Sequence, residues 1–201
     1  MRILGLDTTG AYCSAAIVDT AKVLAHKSEN IGRGHAERLA PMVAELLAGA
    51  GLTAKDIDKI AVCTGPGSFT GLRVALAFAK GFALPRKLPV VGIDALQVTA
   101  EDMAYTDGDE AMIIYRDIRR NEVMSATYEG ALRIGSLTTS PLDDIIDEAN
   151  EFGIAFVESL VIDTRILAWL GADLSPEKHP AQPLYSRGPD AKLPGGIEPP
   201  K

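Results

Sequence analysis

"IAVCTGPGSFTGLRVALAFAKGFAL" (residues 60–84) turns from a short apolar run into a helix-like repeat through a loop carrying Gly65, Gly67 and Gly71. Residues 60–64 read as a buried strand, and residues 70–84 repeat apolar side chains at helical spacing. With a further strand at 90–93 after Pro89, the segment is a βαβ unit, whose helical crossover favours parallel pairing. Free N–H groups where such a helix begins suit an anion, and Ser68 or Thr70 is placed to cap. Neither common phosphate fingerprint fits. Counted from Gly65, a P-loop requires glycine and then lysine where Thr70 and Gly71 stand, and the dinucleotide pattern requires its third glycine at Thr70. Local pattern leaves three readings: a structural turn, an anion-holding loop or a catalytic loop.

On the N-terminal side, residues 2–6, 12–18 and 23–27 read as three strands joined by tight turns at 7–10 and 19–20. From His35, the residues Leu39, Met42, Val43, Leu46 and Leu47 recur at helical spacing until Gly49 and Gly51 supply a stop. Pro41 lacks the N–H that would bond the Glu37 carbonyl and is expected to kink or restart this helix. The order through residue 93 is βββαβαβ, and a helix from Asp94 to about residue 103 leads into a polar stretch at 105–110. A division into lobes 1–103 and 104–201 is expected there. The second half gives strands at 112–116 and 123–128 around a charged turn, then helices at 142–149 and 164–170. From Ser175 seven prolines predict an extended tail. No repeat of fixed period is present.

Composition narrows the classes. A 201-residue chain with 47% hydrophobic residues holds material for a core. Its formal charge of −7 argues against nucleic-acid binding by a basic face of its own, so any RNA is expected to be held mainly by a partner. Cys13 and Cys63 lie in apolar surroundings without metal or redox spacing and read as reduced core residues. The first apolar run meets Asp7 too early for a signal-peptide core, and no run approaches a membrane span, so a cytoplasmic location is expected.

Asp7-Thr8-Thr9, at the end of the first strand, is a candidate metal- and phosphate-organising turn, or a plain Asx or ST turn closing a hairpin. His35 lacks a second histidine three or four residues on, where Arg38 and Leu39 stand, so no metal is expected. No Gly-x-Ser-x-Gly elbow is present. The run 117–122 (DIRRNE) reads as a solvated hairpin tip or a docking patch.

Six blocks together resemble the bacterial TsaB (YeaZ) family: "ILGLDTTGAYCSAAIVD" (3–19), "GHAERLAPMVAELLAGAGL" (34–52), residues 60–84, "LPVVGIDAL" (88–96), "DIRRNEVMSATYEG" (117–130) and "LYSRGPDAKLP" (184–194). The resemblance is specific over residues 3–96 and patchy beyond. It implies an α/β two-lobe fold like actin, Hsp70 and sugar kinases (ribonuclease-H-like), with a truncated second lobe. It also implies a non-catalytic subunit of the assembly that makes threonylcarbamoyladenosine in tRNA. That subunit pairs with a TsaD-like transferase, works with a TsaE-like ATPase, and self-dimerises when the transferase is absent. Metal-bearing relatives carry His-x-x-x-His on the helix that begins here at His35, and Leu39 stands in the second position. The first loop often reads Asp-Thr-Ser in the family, where this chain has Asp7-Thr8-Thr9.

The resemblance places the partner interface on the two helices that follow His35 and the glycine loop. The candidates are His35, Arg38, Leu39, Met42, Val43, Gly65, Pro66, Gly67, Ser68, Phe69, Thr70, Gly71 and Arg73. Asp7, Thr8 and Thr9 are a vestigial or shared nucleotide pocket, so no cofactor is expected to bind this chain alone, while a nucleotide shared with the partner is allowed. The competing functions are an actin-like ATPase or small kinase using Asp7 and the 65–71 loop, and a peptidase, for which no metal pair or nucleophile is identifiable.

Overall fold

The strand Ile3–Asp7 (β1) lies at the centre of a five-stranded sheet, with both of its faces covered. A computed structural model gives the structure over residues 1–107 and 110–185. β1, Tyr12–Val18 (β2) and Val23–Asn30 (β3) form an antiparallel meander, and the helix His35–Gly49 (α1) follows. Lys59–Cys63 (β4) then pairs parallel to β1, and Phe69–Ala83 (α2) crosses to Val90–Ile93 (β5), parallel to β4. The resulting order is β3-β2-β1-β4-β5.

Alternation along β1 sorts the layers. Leu4 and Leu6 face a core shared with α1 and α2, whereas Ile3 faces the opposite core. α1 buries Leu39, Met42, Val43, Leu46 and Leu47 against the sheet. Contrary to the expected break, α1 runs unbroken through Pro41. Pro41 and Glu37 are both exposed, so the Glu37 carbonyl that Pro41 leaves unbonded lies on the solvent side, where its loss of a helix partner costs least.

Ala95–Asp107 (α3) leads to a second sheet. Ala111–Asp117 (β6) and Glu122–Glu129 (β7) form an antiparallel hairpin, and β7 also pairs with the short strands Leu132–Arg133 (β8) and Thr138–Pro141 (β9). After Leu142–Phe152 (α4), Ala155–Glu158 (β10) pairs parallel to β6. An antiparallel meander with a parallel strand beside its first strand repeats the β1–β4 plan of the first sheet, the short strands β8 and β9 standing in the place of β3, with no counterpart of β5 among the described residues. The fold is thus the actin-like two-lobe class with a truncated second lobe, its two halves related by topology and not by sequence.

β10 and the short strands β8 and β9 are absent from the sequence reading. Thr164–Leu170 (α5) agrees with it residue for residue, yet α5 leaves the second sheet and returns to the first. Leu167 and Ala168 pack with Ile3, Ala61 and Val91, so residues beyond the expected division at 103 complete the first lobe's core. Lys59 tethers the return, its Nζ donating to the carbonyls of Ala172 (2.8 Å) and Leu174 (2.5 Å). Both cysteines are buried. Of the proline-rich tail and of the block 184–194, everything from residue 186 on lies outside the described residues, as do residues 108 and 109.

Candidate functional site

Two regions hold the sequence candidates: the turn 7–9 with the glycine loop, and the outer face of α1 and α2. In the first, Asp7, Thr8 and Thr9 are all buried, with Asp7 only 2% exposed. One Asp7 carboxylate oxygen accepts from the Thr9 N–H (3.0 Å) and the Thr9 hydroxyl (2.7 Å), which makes an Asx turn. Thr8 Oγ1 donates to the Gly71 carbonyl (2.7 Å), and the Ser68 N–H donates to the Thr9 carbonyl (2.7 Å).

The glycine loop is therefore bound down onto the turn. A methyl on Gly67 would reach Thr9 Cβ at 2.8 Å, and one on Gly71 would reach the Thr8 carbonyl carbon at 3.0 Å, with that carbonyl's oxygen nearer still. These two glycines are required by close backbone approach. Ser68 caps α2 by accepting from the Gly71 N–H (3.3 Å).

Arg116, contributed by β6 of the second lobe and itself buried, reaches this turn. It donates to the Ser159 carbonyl and lies against Gly10. Burial pushes the Asp7 carboxyl above its ordinary range, opposed in part by the Thr9 hydrogen bonds and the charge of Arg116. The oxygens and N–H groups of the turn are thus engaged with the loop and with each other, the Asp7 carboxylate with Thr9 and the Thr8 hydroxyl with Gly71. Sequence reasoning missed Arg116, since nothing local in 112–116 signals a contact with Gly10.

The outer face corrects half of the expected interface. Leu39, Met42 and Val43 are 1%, 0% and 2% exposed and belong to the lobe's own core, because the apolar stripe of α1 faces the sheet. Gly65, Pro66 and Gly71 are also buried, Gly67 and half-buried His35 are partly accessible, and Ser68, Phe69, Thr70 and Arg73 are exposed. Arg38 is consumed within the fold. Its guanidinium makes paired hydrogen bonds to Glu29 (2.6 and 2.8 Å) and to Glu45 (2.8 and 2.9 Å), strapping α1 to β3.

Between α1 and α2 lies an open groove of about 460 Å³, lined by Ala36, Leu39, Phe69, Thr70, Arg73, Val74, Ala77 and Phe78. The exposed alanines of α1 at 36, 40 and 44, together with Ala77 of α2, were its signal in the sequence: small residues on the side opposite the buried stripe. Tyr185 is the other missed residue. Residues 179–185 run back beside β5 and the glycine loop, and Tyr185 meets Phe69 with ring centroids 5.2 Å apart.

The hairpin 117–122 is as expected, its tip Arg119-Arg120-Asn121 having three successive positive φ angles. Asp117 braces it by accepting from the Arg119 N–H.

A family model described as "TsaD: tRNA N6-adenosine threonylcarbamoyltransferase" matches residues 22–167. The Escherichia coli tRNA threonylcarbamoyladenosine biosynthesis protein TsaB is 37% identical over 129 residues, 64% of this chain and 55% of that protein. The chain thus spans about half the length of this relative and of the Haemophilus influenzae TsaB, of which it covers 52%. An uncharacterised protein of Mycobacterium tuberculosis is 34% identical, with 94% of this chain and 93% of the relative covered. Among solved structures, YeaZ of Pseudomonas aeruginosa superimposes with a TM-score of 0.75 at 28% identity, covering 92% of this chain and 99% of that one.

Proposed function

The chain belongs to the TsaB (YeaZ) family, and on that premise we propose that it serves tRNA threonylcarbamoyladenosine synthesis as a non-catalytic subunit. It pairs with a TsaD-like transferase through the outer face of α1 and α2, and with a second copy of itself when that partner is absent. A TsaE-like ATPase joins the assembly, tRNA is met only in the complex, and any nucleotide is shared at the interface. The observation that carries this reading is the burial of Asp7-Thr8-Thr9 beneath the glycine loop while the α1–α2 groove stays open. The residues that chemistry would use act as braces, and the surface left over is apolar and concave.

The test mixes the purified chain with the TsaD-like protein of its own organism. Light scattering gives the mass of each alone and together, and threonylcarbamoyl transfer to tRNA is assayed with and without the chain. A one-to-one complex active only when the chain is present is the expected result. Failure to associate, together with ATP turnover by the isolated chain that is lost in Asp7→Ala, would put the ATPase reading in its place.

A further inference from the structure

Arg73 on α2 contrasts with Arg38 on α1. Arg38 spends its guanidinium on two carboxylates, whereas no carboxylate among the described residues pairs with Arg73. Yet Arg73 is held. Phe69, one turn earlier on α2, lies under the guanidinium with its ring centroid 3.7 Å from Cζ. The Arg73 Nε–H points to the Tyr185 hydroxyl (3.3 Å), and the Tyr185 ring stands 6.0 Å from Cζ.

Tyr185 is itself anchored by its own segment. The Gly92 N–H donates to the His179 carbonyl (3.0 Å), Pro180 bridges Val91, and the Leu184 N–H donates to the Thr64 carbonyl (2.8 Å). Stacking and the Nε contact hold the guanidinium of this exposed residue, and among the described residues neither terminal nitrogen makes a hydrogen bond. A cation so placed has already lost the rotamer freedom that binding would otherwise remove, and its free edge matches the two oxygens of a carboxylate. It sits at one end of the apolar α1–α2 groove, on a chain whose net charge is −7.

We infer that Phe69, Arg73 and Tyr185 form a built receptor for an aspartate or glutamate side chain of the TsaD-like partner, and that residues 179–185 are a third element of the docking face. The partner's contact helix then carries an acid one turn from the apolar residues that enter the groove between Ala36 and Ala77. This rests on the pairing reading above and specifies its chemistry: the partner is recognised by one carboxylate beside an apolar ridge.

The experiment is calorimetric titration of the TsaD-like protein with the wild-type chain, Arg73→Ala, Arg73→Lys and Tyr185→Ala, at low and high salt. Each is also made in the full-length chain carrying Asp190→Asn and Glu198→Gln, which removes the tail's own side-chain acids as competitors. Circular dichroism melts confirm that the variants fold. Loss of a desolvated charge pair predicts about 30-fold weaker binding or more for Arg73→Ala, with a shallower salt dependence. Arg73→Lys recovers part of the affinity, and Tyr185→Ala loses part of it. Equal affinity and salt dependence for wild type and Arg73→Ala overturns the inference while leaving the pairing intact. An Arg73 effect that vanishes in the Asp190→Asn, Glu198→Gln background overturns it too, by assigning the carboxylate to the chain itself. Wild-type chain that does not bind at all removes the pairing reading and this inference with it.

Discussion

Replacing Gly71 by alanine separates the structure from simple helix propensity, because the two predict opposite signs. Gly71 lies in the first turn of α2, where alanine ordinarily stabilises by up to about 1 kcal/mol. Here the added methyl would lie 3.0 Å from the Thr8 carbonyl carbon and nearer its oxygen, both backbone atoms of a buried turn. Relief requires α2 to lift from residues 8 and 9. That weakens the Thr8 hydroxyl to Gly71 carbonyl and Ser68 N–H to Thr9 carbonyl bonds, each worth about 1 kcal/mol net. Overpacking adds about 1–3 kcal/mol. The balance is a loss of roughly 2–4 kcal/mol, a fall in Tm of about 5–15 °C for a chain of this size. Gly81→Ala is the control: it lies in the same helix with open space around it, and a gain of about 1 kcal/mol raises Tm by roughly 2–4 °C. Thermal melts followed by far-ultraviolet circular dichroism measure both. A Gly71→Ala chain melting at or above the wild type would refute the clamp between the glycine loop and the first turn.

Three further outcomes follow from the same geometry. Val43→Asp places an unpaired charge in the first lobe's core and should give insoluble or unfolded protein, while Ala40→Asp on the exposed side should fold, as circular dichroism will show, and lose pairing by light scattering. Arg38, with Lys27 second, holds the Glu29 and Glu45 carboxyls down to about 2, so their stabilising effect is present above about pH 4.5 and is lost as the pH falls through 2. The Tm gap between wild type and Arg38→Ala is therefore widest at neutral pH and closes in acid. Asp7 has the opposite sign: burial raises its carboxyl, so the cost of its charge is absent below its unfolded pKa of about 3.8 and grows as pH rises through the folded value. Asp7→Asn keeps an oxygen for Thr9 and should melt at or above the wild type at neutral pH, with no gain in acid. A Tm well below wild type at neutral pH would count against that account.

The elements with strong local periodicity were legible to within a residue or two, α5 and β2 fully so. β9 reads Thr-Thr-Ser-Pro and β10 only Ala-Phe-Val-Glu, too short to carry alternation, and each owes its form to a distant partner strand. The burial of three interface candidates has a different cause. An amphipathic helix displays the same stripe whether it covers its own sheet or a neighbour, so Leu39, Met42 and Val43 were indistinguishable from contact residues until their burial was seen. Arg38 was legible as a charge and not as a strap, because Glu29 lies on another element. Arg116 and Tyr185 depend on contacts across 43 and 112 residues of chain.

These long-range contacts support the proposal that the glycine loop serves assembly. The glycine loop is fixed from inside by Thr8 and Thr9 and from outside by Leu184, whose N–H bonds the Thr64 carbonyl. The first turn of α2 is consequently held on both sides, and with it Phe69 and Arg73 on the outer face. A phosphate-handling loop must open to admit substrate and release product. A docking face gains from the reverse, since each side chain already ordered before association removes about 0.5–1.5 kcal/mol from the cost of binding. The glycines that would let a loop wrap a phosphate here let two backbones approach closely, and on the proposed reading the stiffness so produced is passed to the docking face.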